Sequence, residues 1–342
     1  MEEITTTFPI INERYQILNT ISSGGMAVIY RAKDIILDRP VALKILKKEL
    51  SQKPDLREQF SKEAKATARL SHVNIVTTHD FGIYGDRLYI AMELIEGSIL
   101  KDVITDKEIT LSQRINYLEQ ACEGLAYAHS NNIVHCDIKP QNMLISASGE
   151  LKLTDFGISQ VLDTLSREST AEIWGSPYYI APEIARGAAP SPAADVYSMG
   201  IVMYEVLTKR LPFLGEDVLT LIEKHQEETP LSPIKINKQI PPALNAIILK
   251  AISKDPGQRY PDASALLSDI IQAKKAPLEE KTYSEKSQDI IRNSNQGIDD
   301  FRAPDIEGLP IDWKTILLGF AAIIMVGGLI PFWLFIYYSI NR

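Results

Sequence analysis

Residues 133–157 read IVHCDIKPQNMLISASGELKLTDFG and carry the most specific chemical pattern in this chain. Asp137, Lys139 and Asn142 follow one another closely, and Asp155 comes thirteen residues after Asn142. Phosphoryl transfer from a nucleotide requires a carboxylate near the acceptor, a cation on the transferred group and oxygen ligands for magnesium. We therefore predict a phosphoryl-transfer site in this stretch.

Composition limits the class of protein. The 342 residues, 45% hydrophobic and 23% charged, allow one large or two ordinary domains with a buried core. A net charge of −8 argues against nucleic acid as a primary partner. The two cysteines, Cys122 and Cys136, suit a reducing compartment without a disulfide framework. The first residues show no basic and apolar segments of a signal peptide, so we expect none.

The spacing of apolar residues predicts a small β-rich lobe followed by a larger helical lobe. Three strands are expected within 15–46 and another at 87–94, with a helix at 55–70 between them. Further helices are expected at 111–131, 192–208, 218–227, 241–253 and 262–275. This is an α+β arrangement, and the cleft between two such lobes is a natural ligand site.

The C-terminal part differs in character from the rest. Residues 316–340 carry no charge, and a helix of that length would extend about 37 Å, enough to span a bilayer. Aromatic residues lie towards its ends, as at membrane interfaces. The alternative is a buried core helix. We predict a transmembrane helix over 313–340, preceded by a flexible polar linker at 276–312.

The chain resembles the eukaryotic-like (Hanks-type) serine/threonine protein kinases of bacteria. The pattern H-x-D-x-K-x-x-N at 135–142 followed by D-F-G at 155–157 carries this resemblance, which covers about residues 15–275. The segments GGMA, DVYSMG and LPFLG are most similar to the membrane-anchored PASTA-kinase group. That group carries extracellular sensor repeats; none follows the predicted span here, so we expect no external sensing domain of this type.

The resemblance implies the two-lobed protein-kinase fold, with an N-lobe at 15–94 and a C-lobe at 95–275. It also implies a phosphate-covering loop at 21–29, where Ser22 and Ala27 replace the family's first and third glycines. Both replacements are small, so we expect the loop to close over ATP. The implied nucleotide-binding residues are Ile21, Ser22, Gly24, Gly25, Ile29, Ala42, Lys44, Glu93, Ile95, Asn142, Leu144 and Asp155.

The same resemblance assigns the catalytic roles. Lys44 would contact the α- and β-phosphates and pair with Glu63, with Glu58 as the alternative partner. Asp137 would accept or orient the proton of the substrate hydroxyl, and Lys139 would neutralise charge on the γ-phosphate. Asn142 and Asp155 would be the metal ligands, for Mg²⁺ or alternatively Mn²⁺.

Other positions are implied to shape the site. Met92 matches the gatekeeper, after which the adenine would bond the backbone of Glu93 and Ile95. In the helical lobe, Glu183 is expected to pair with Arg259. Asp195 is expected to hold the backbone of the catalytic loop.

One departure from the family concerns regulation. Cys136 stands where the family usually has an arginine that pairs with a phosphate on the activation loop. We therefore expect that phosphorylation of this loop is not a strict switch. The candidate autophosphorylation sites are Thr164, Ser166, Ser169 and Thr170.

The resulting hypothesis is an ATP-dependent serine/threonine protein kinase that phosphorylates proteins, including itself. It would be a single-pass protein of the cell membrane with its kinase domain in the cytoplasm, and the family's N-lobe homodimer is a further expectation. Two alternatives remain open, a pseudokinase scaffold and a kinase of small molecules. The docking segment at 175–183 argues against the latter because protein kinases hold a peptide there.

Overall fold

The computed structural model describes residues 9–106, 108–156 and 177–275. The first lobe is built on an antiparallel six-stranded sheet in the order β1-β2-β3-β4-β6-β5. Its strands are β1 (Ile10–Ile11), β2 (Tyr15–Ser23), β3 (Ala27–Asp34), β4 (Arg39–Leu46), β5 (Thr78–Tyr84) and β6 (Arg87–Glu93). Strand β4 is central, and its residues 41–46 are all buried, as expected for an apolar run covered on both faces.

Two helices follow β4, the short α1 (Lys48–Ser51) and the longer α2 (Pro54–Thr67). Phe60 and Ala64 of α2 pack into one apolar cluster with Leu46 and Ile90 of the sheet. The helix ends at Thr67 rather than at residue 70 as predicted. The chain turns away there because Leu70 is buried in the core of the other lobe.

A short three-stranded sheet joins the lobes. It consists of β7 (Gly97–Ile99), β8 (Met143–Ser146) and β9 (Leu151–Leu153), paired antiparallel in that order. Strand β9 also pairs with the segment between α2 and β5: Val76 N donates to Leu153 O at 2.9 Å, and Leu153 N donates to Asn74 O at 2.8 Å. The chain of the first lobe is therefore attached to the second lobe at this point as well.

The second lobe is helical. Its helices are α3 (Leu100–Thr105), α4 (Leu111–Ser130), α5 (Pro182–Ala185), α6 (Pro192–Thr208), α7 (Val218–Glu227), α8 (Pro233–Ile236), α9 (Pro242–Ala251) and α10 (Ala263–Lys275). A capping box begins α4, since Thr110 Oγ1 accepts from Gln113 N and Gln113 Oε1 accepts from Thr110 N. Helix α6 lies at the centre of this lobe, where nearly all its residues from Ala194 on are buried.

The α+β fold with two lobes was predicted correctly, and the long helices begin and end within a few residues of their predicted bounds. Across residues 9–106, 108–156 and 177–275, no helix is long and apolar enough to cross a membrane. The predicted linker at 276–312 and span at 313–340 lie outside the described residues, as do the four candidate phosphorylation sites and Gly157.

Candidate active site

A buried lysine on the central strand connects two acidic side chains. Lys44 Nζ lies 2.6 Å from Glu63 Oε1 on α2 and 2.7 Å from Asp155 Oδ1 in the loop after β9. Lys44 and Glu63 are each 5% exposed. The alternative prediction, that Glu58 pairs with Lys44, is wrong. Glu58 lies on the exposed face of α2, where it pairs with Lys62.

Charge within this triad is set by burial and by the ion pairs. Burial alone would lower the pKa of Lys44, but the carboxylates of Asp155 and Glu63 outweigh it and raise this pKa. Burial would likewise raise the pKa of Asp155, yet the adjacent Lys44 ammonium lowers it overall. For Glu63, burial prevails over the attraction of Lys44 and raises the pKa to about 7. At neutral pH the Lys44 ammonium therefore faces an ionised Asp155.

The catalytic loop forms a second cluster of polar groups. A 3₁₀ turn at Pro140–Asn142 folds the chain back, so that Asn142 Nδ2 donates to the Asp137 backbone oxygen at 2.8 Å and to Asp137 Oδ2 at 2.9 Å. Lys139 Nζ lies 2.6 Å from the same carboxylate oxygen. Lys139 and Asn142 thus meet at the Asp137 carboxylate, as their spacing predicted. The Asp137 side chain remains 20% exposed.

The two clusters are joined through the backbone. Thr154 N donates to Asn142 O at 3.0 Å, directly before Asp155. His135 Nδ1 accepts from Asp137 N, so its Nε2 carries the proton and donates to Thr154 O at 3.1 Å. The His135 ring also packs on Phe156, with the ring centroids 4.3 Å apart. The acid at 137 and the acid at 155 are therefore held in one framework.

Asp195, at the start of α6, holds the loop backbone as predicted. Its carboxylate accepts from His135 N at 2.7 Å and from Cys136 N at 2.9 Å. It also contacts His129 Nε2 at 3.0 Å, and that ring accepts from Ala263 N through Nδ1, which places the proton on Nε2. Cys136 adopts a φ of 66°, a left-handed conformation that this pair of bonds to Asp195 stabilises.

The predicted phosphate loop is a β-hairpin. Strands β2 and β3 pair up to Ser23 and Val28, with register shifts at 17–19 and 20–22, and Gly24 N donates to Ala27 O at 3.0 Å. Four of the predicted nucleotide-binding residues and the predicted gatekeeper lie in one apolar cluster, to which the second lobe contributes Leu144. That cluster contains Ile29, Ala42, Met92, Ile95 and Leu144.

In the helical lobe, the predicted pair between Glu183 and Arg259 forms a bidentate ion pair. Arg259 Nη1 and Nη2 lie 2.7 Å from Glu183 Oε1 and Oε2 respectively. The guanidinium also donates to the carbonyl oxygens of Ala193, Ser253 and Lys254. This arginine therefore connects α5, α6 and the segment that precedes α10.

Comparison with known proteins agrees with this geometry. Residues 15–271 match the family described as the protein kinase domain. The chain belongs to the protein kinase family. The matching kinases include the serine/threonine-protein kinase PrkC of Bacillus subtilis (strain 168), 43% identical over 277 residues, covering 80% of this chain and 43% of PrkC. PknB of Mycobacterium leprae (strain TN) is 35% identical, with 89% of this chain and 50% of PknB covered.

This kinase chain spans half or less of the length of those two relatives. Among solved structures, the PknI kinase domain of Mycobacterium tuberculosis superposes with a TM-score of 0.63 at 20% identity, over 78% of this chain and 98% of that domain. At 20% identity, this superposition supports the kinase fold alone.

The donor set fits a nucleotide with magnesium. Asp155 and Asn142 supply a carboxylate and an amide oxygen, since Asn142 turns its Nδ2 towards Asp137. Lys44 supplies the cation for phosphate groups, and the apolar cluster supplies the surroundings for a base. Sequence reasoning missed one charged residue at the edge of this kinase cleft, Lys152, whose Nζ lies 3.2 Å from Glu93 Oε1.

Proposed function

We propose that this protein is an ATP-dependent serine/threonine protein kinase. The observation that carries the proposal is the joining of the Asp137 cluster to the Lys44–Glu63–Asp155 triad by the hydrogen bonds of Thr154 and His135. Such an arrangement can position a hydroxyl, a phosphoryl group and a cation relative to one another. The relatives PrkC and PknB are named as serine/threonine-protein kinases, which supports the same activity.

In this mechanism the chain's own side chains move one proton and stabilise charge. The Asp137 carboxylate accepts the proton of the substrate hydroxyl while the hydroxyl oxygen bonds to the γ-phosphorus. The bond between the γ-phosphorus and the β–γ bridging oxygen breaks, and ADP leaves with that oxygen. The Lys139 ammonium, 2.6 Å from Asp137, stabilises negative charge on the transferred group. Lys44 orients the α- and β-phosphates. Magnesium, when bound through Asn142 and Asp155, would supply further neutralisation of phosphate charge.

The acceptor class can be tested directly. Full-length protein with γ-labelled ATP, magnesium and a generic basic protein is expected to label serine and threonine but not tyrosine, as read by phosphoamino-acid analysis. Label appearing in small molecules but in no protein would favour the small-molecule kinase. Absence of transfer from a folded chain that binds nucleotide would favour a scaffold role.

We further propose that residues 313–340 anchor the kinase in the cell membrane, with the catalytic lobes in the cytoplasm, where ATP is found. The support is the uncharged stretch at 316–340 with aromatic residues towards its ends. The protein should stay with membranes after an alkaline carbonate wash, and protease added to intact cells should leave the kinase domain uncut. Extraction by carbonate would contradict the anchor.

A second copy of the chain is the partner that we propose for the N-lobe. Two hydrogen bonds bring the segment 12–14 close to the ends of β3 and β5: Asn12 Nδ2 donates to Ile83 O, and Ile35 N donates to Arg14 O. The exposed apolar residues of these segments are Ile10, Ile35, Ile36, Leu37 and Ile83, each between 43% and 68% exposed. Ile36→Asp should shift the protein to monomers in sedimentation, and an unchanged distribution would argue against this interface.

Activity should not depend on phosphate at Thr170. We expect Thr170→Ala to keep a rate within about threefold of wild type, because Cys136 cannot make the charge-assisted contact that an arginine makes with a phosphate. The measurement is the initial rate on an external substrate, with Ser169→Ala as the matched control. Loss of nearly all activity in Thr170→Ala alone would show that the loop is a strict switch.

A further inference from the structure

Lys152 is a buried lysine that the proposed catalytic mechanism does not use. It lies in the short strand β9 between Leu151 and Leu153, which are both fully buried, and is itself 8% exposed. In the ladder it faces Leu144, a member of the apolar cluster around the expected adenine site. Because directly paired residues of antiparallel strands share a face, its side chain runs beside Leu144 towards the first lobe.

There Lys152 meets Glu93, the last residue of β6. Lys152 Nζ lies 3.2 Å from Glu93 Oε1, while Glu93 Oε2 accepts from Thr77 N at 3.3 Å. The backbone N of Glu93 donates to Thr77 O at 2.9 Å. Glu93 is therefore tied to its own lobe through Thr77 and to the other lobe through a single ammonium group.

The connection between the lobes, residues 93–96, is also fixed at its other end. Ala147 N donates to Glu96 O at 2.9 Å. The next residue, Gly97, has no space for a side chain, because a Cβ there would lie 1.9 Å from Ile145 O. The backbone of Glu93 and Ile95, the expected adenine contacts, thus lies between two attachments to the second lobe, of which only the one at Glu93 is an ion pair of side chains.

We propose that Lys152 is a positioning residue for adenine recognition. The inference rests on the proposed function, since it assigns to Lys152 the task of holding the backbone that would bond the base. Without the ammonium, Glu93 keeps a carboxylate that is 31% exposed and is freed to turn towards water, which would displace the peptide groups beside it. Lys44, Asp137 and Asp155 keep their own bonds in this case, so the loss would fall on base binding.

An ordinary structural ion pair is the competing explanation. Such a pair would lower stability or leave binding unchanged, but it would not distinguish the base from the phosphates. Adenosine and tripolyphosphate separate these possibilities, because adenosine carries the base and the ribose of ATP and tripolyphosphate carries only its phosphate chain.

The test uses the full-length chain and the variant Lys152→Met, whose unbranched side chain keeps the apolar stem beside Leu144. We expect dissociation constants for Mg-ATP and for adenosine to rise by about tenfold together. The constant for magnesium tripolyphosphate should stay unchanged, and kcat at saturating ATP should stay within about twofold, since only base binding is altered. Lys152→Arg, which retains a cation, should bind both ligands nearly as wild type does.

Lys62→Met is the matched control, because it removes a lysine from an exposed pair with Glu58 on α2 and should change none of these constants. Unchanged adenosine binding in Lys152→Met, or equal weakening for tripolyphosphate, would overturn the inference. If that variant does not fold, Glu93→Gln removes the same attraction and must show the same selective loss. Failure of the wild-type protein to bind Mg-ATP would instead overturn the proposed function, and this inference with it.

Discussion

Asp137→Asn is expected to lower the rate of phosphoryl transfer by about 10²–10⁴-fold, the range typical for loss of a general base. Asparagine has nearly the same shape but cannot take up the proton of the hydroxyl. Its side-chain oxygen can still accept from Lys139 and Asn142, which now contact Asp137 Oδ2 at 2.6 and 2.9 Å. The Kd for Mg-ATP should therefore change little. Initial rates with γ-labelled ATP and calorimetric titration of nucleotide measure the two quantities.

The matched control for this prediction is Asp86→Asn, at an exposed turn between β5 and β6. It changes the same functional group and the same net charge, and it should leave the rate unaltered. An Asp137→Asn protein that retained a rate within about tenfold of wild type would contradict the proposed role of this carboxylate.

Arg259→Met should give the largest loss of stability, about 3–5 kcal/mol in the free energy of unfolding. Arg259 is 4% exposed, and its removal leaves the Glu183 carboxylate, 15% exposed, without its bidentate partner. The carbonyl oxygens of Ala193, Ser253 and Lys254 lose a donor at the same time. Urea unfolding, followed by circular dichroism in the far ultraviolet, measures the change in the free energy of unfolding.

Two further variants refine this measurement. Arg259→Lys keeps the charge but not the planar fork, so it should recover part of the loss and not all of it. Arg186→Met removes an exposed arginine close to Glu183 and should change stability by less than about 0.5 kcal/mol. A loss below about 1 kcal/mol in Arg259→Met would show that the pair contributes little to the helical lobe.

The sequence allowed prediction of the catalytic loop because its residues are close along the chain. Asp137, Lys139 and Asn142 meet within one turn, so their spacing already implies their proximity. The contact of Lys44 with Asp155 joins residues 111 positions apart, and it is not among the contacts predicted above. Spacing along the chain carries no comparable information about such distant pairs.

What could not be predicted lies mainly in short pieces whose partners are distant. Strands β7 and β9 have three residues each, too few to show a period, and they are strands only because β8 lies between them. Lys152 was missed for a different reason. A lysine between two leucines is typical of a strand with one face in water. In the structure both faces of β9 are covered, and the lysine instead reaches Glu93.

The attachment of segment 74–76 to β9 has a mechanical consequence. Besides the ion pairs Lys44–Asp155 and Lys152–Glu93, backbone holds the two lobes together at two separate places, the covalent link at 93–96 and the paired backbones of Val76 and Leu153. We infer that the cleft opens by rotation of the first lobe about the line that joins these two places. Such a rotation would keep the phosphate loop on one circular path relative to the catalytic acid. Amide hydrogen exchange at Val76 and Leu153 as fast as in exposed loops would contradict a stable attachment at these residues.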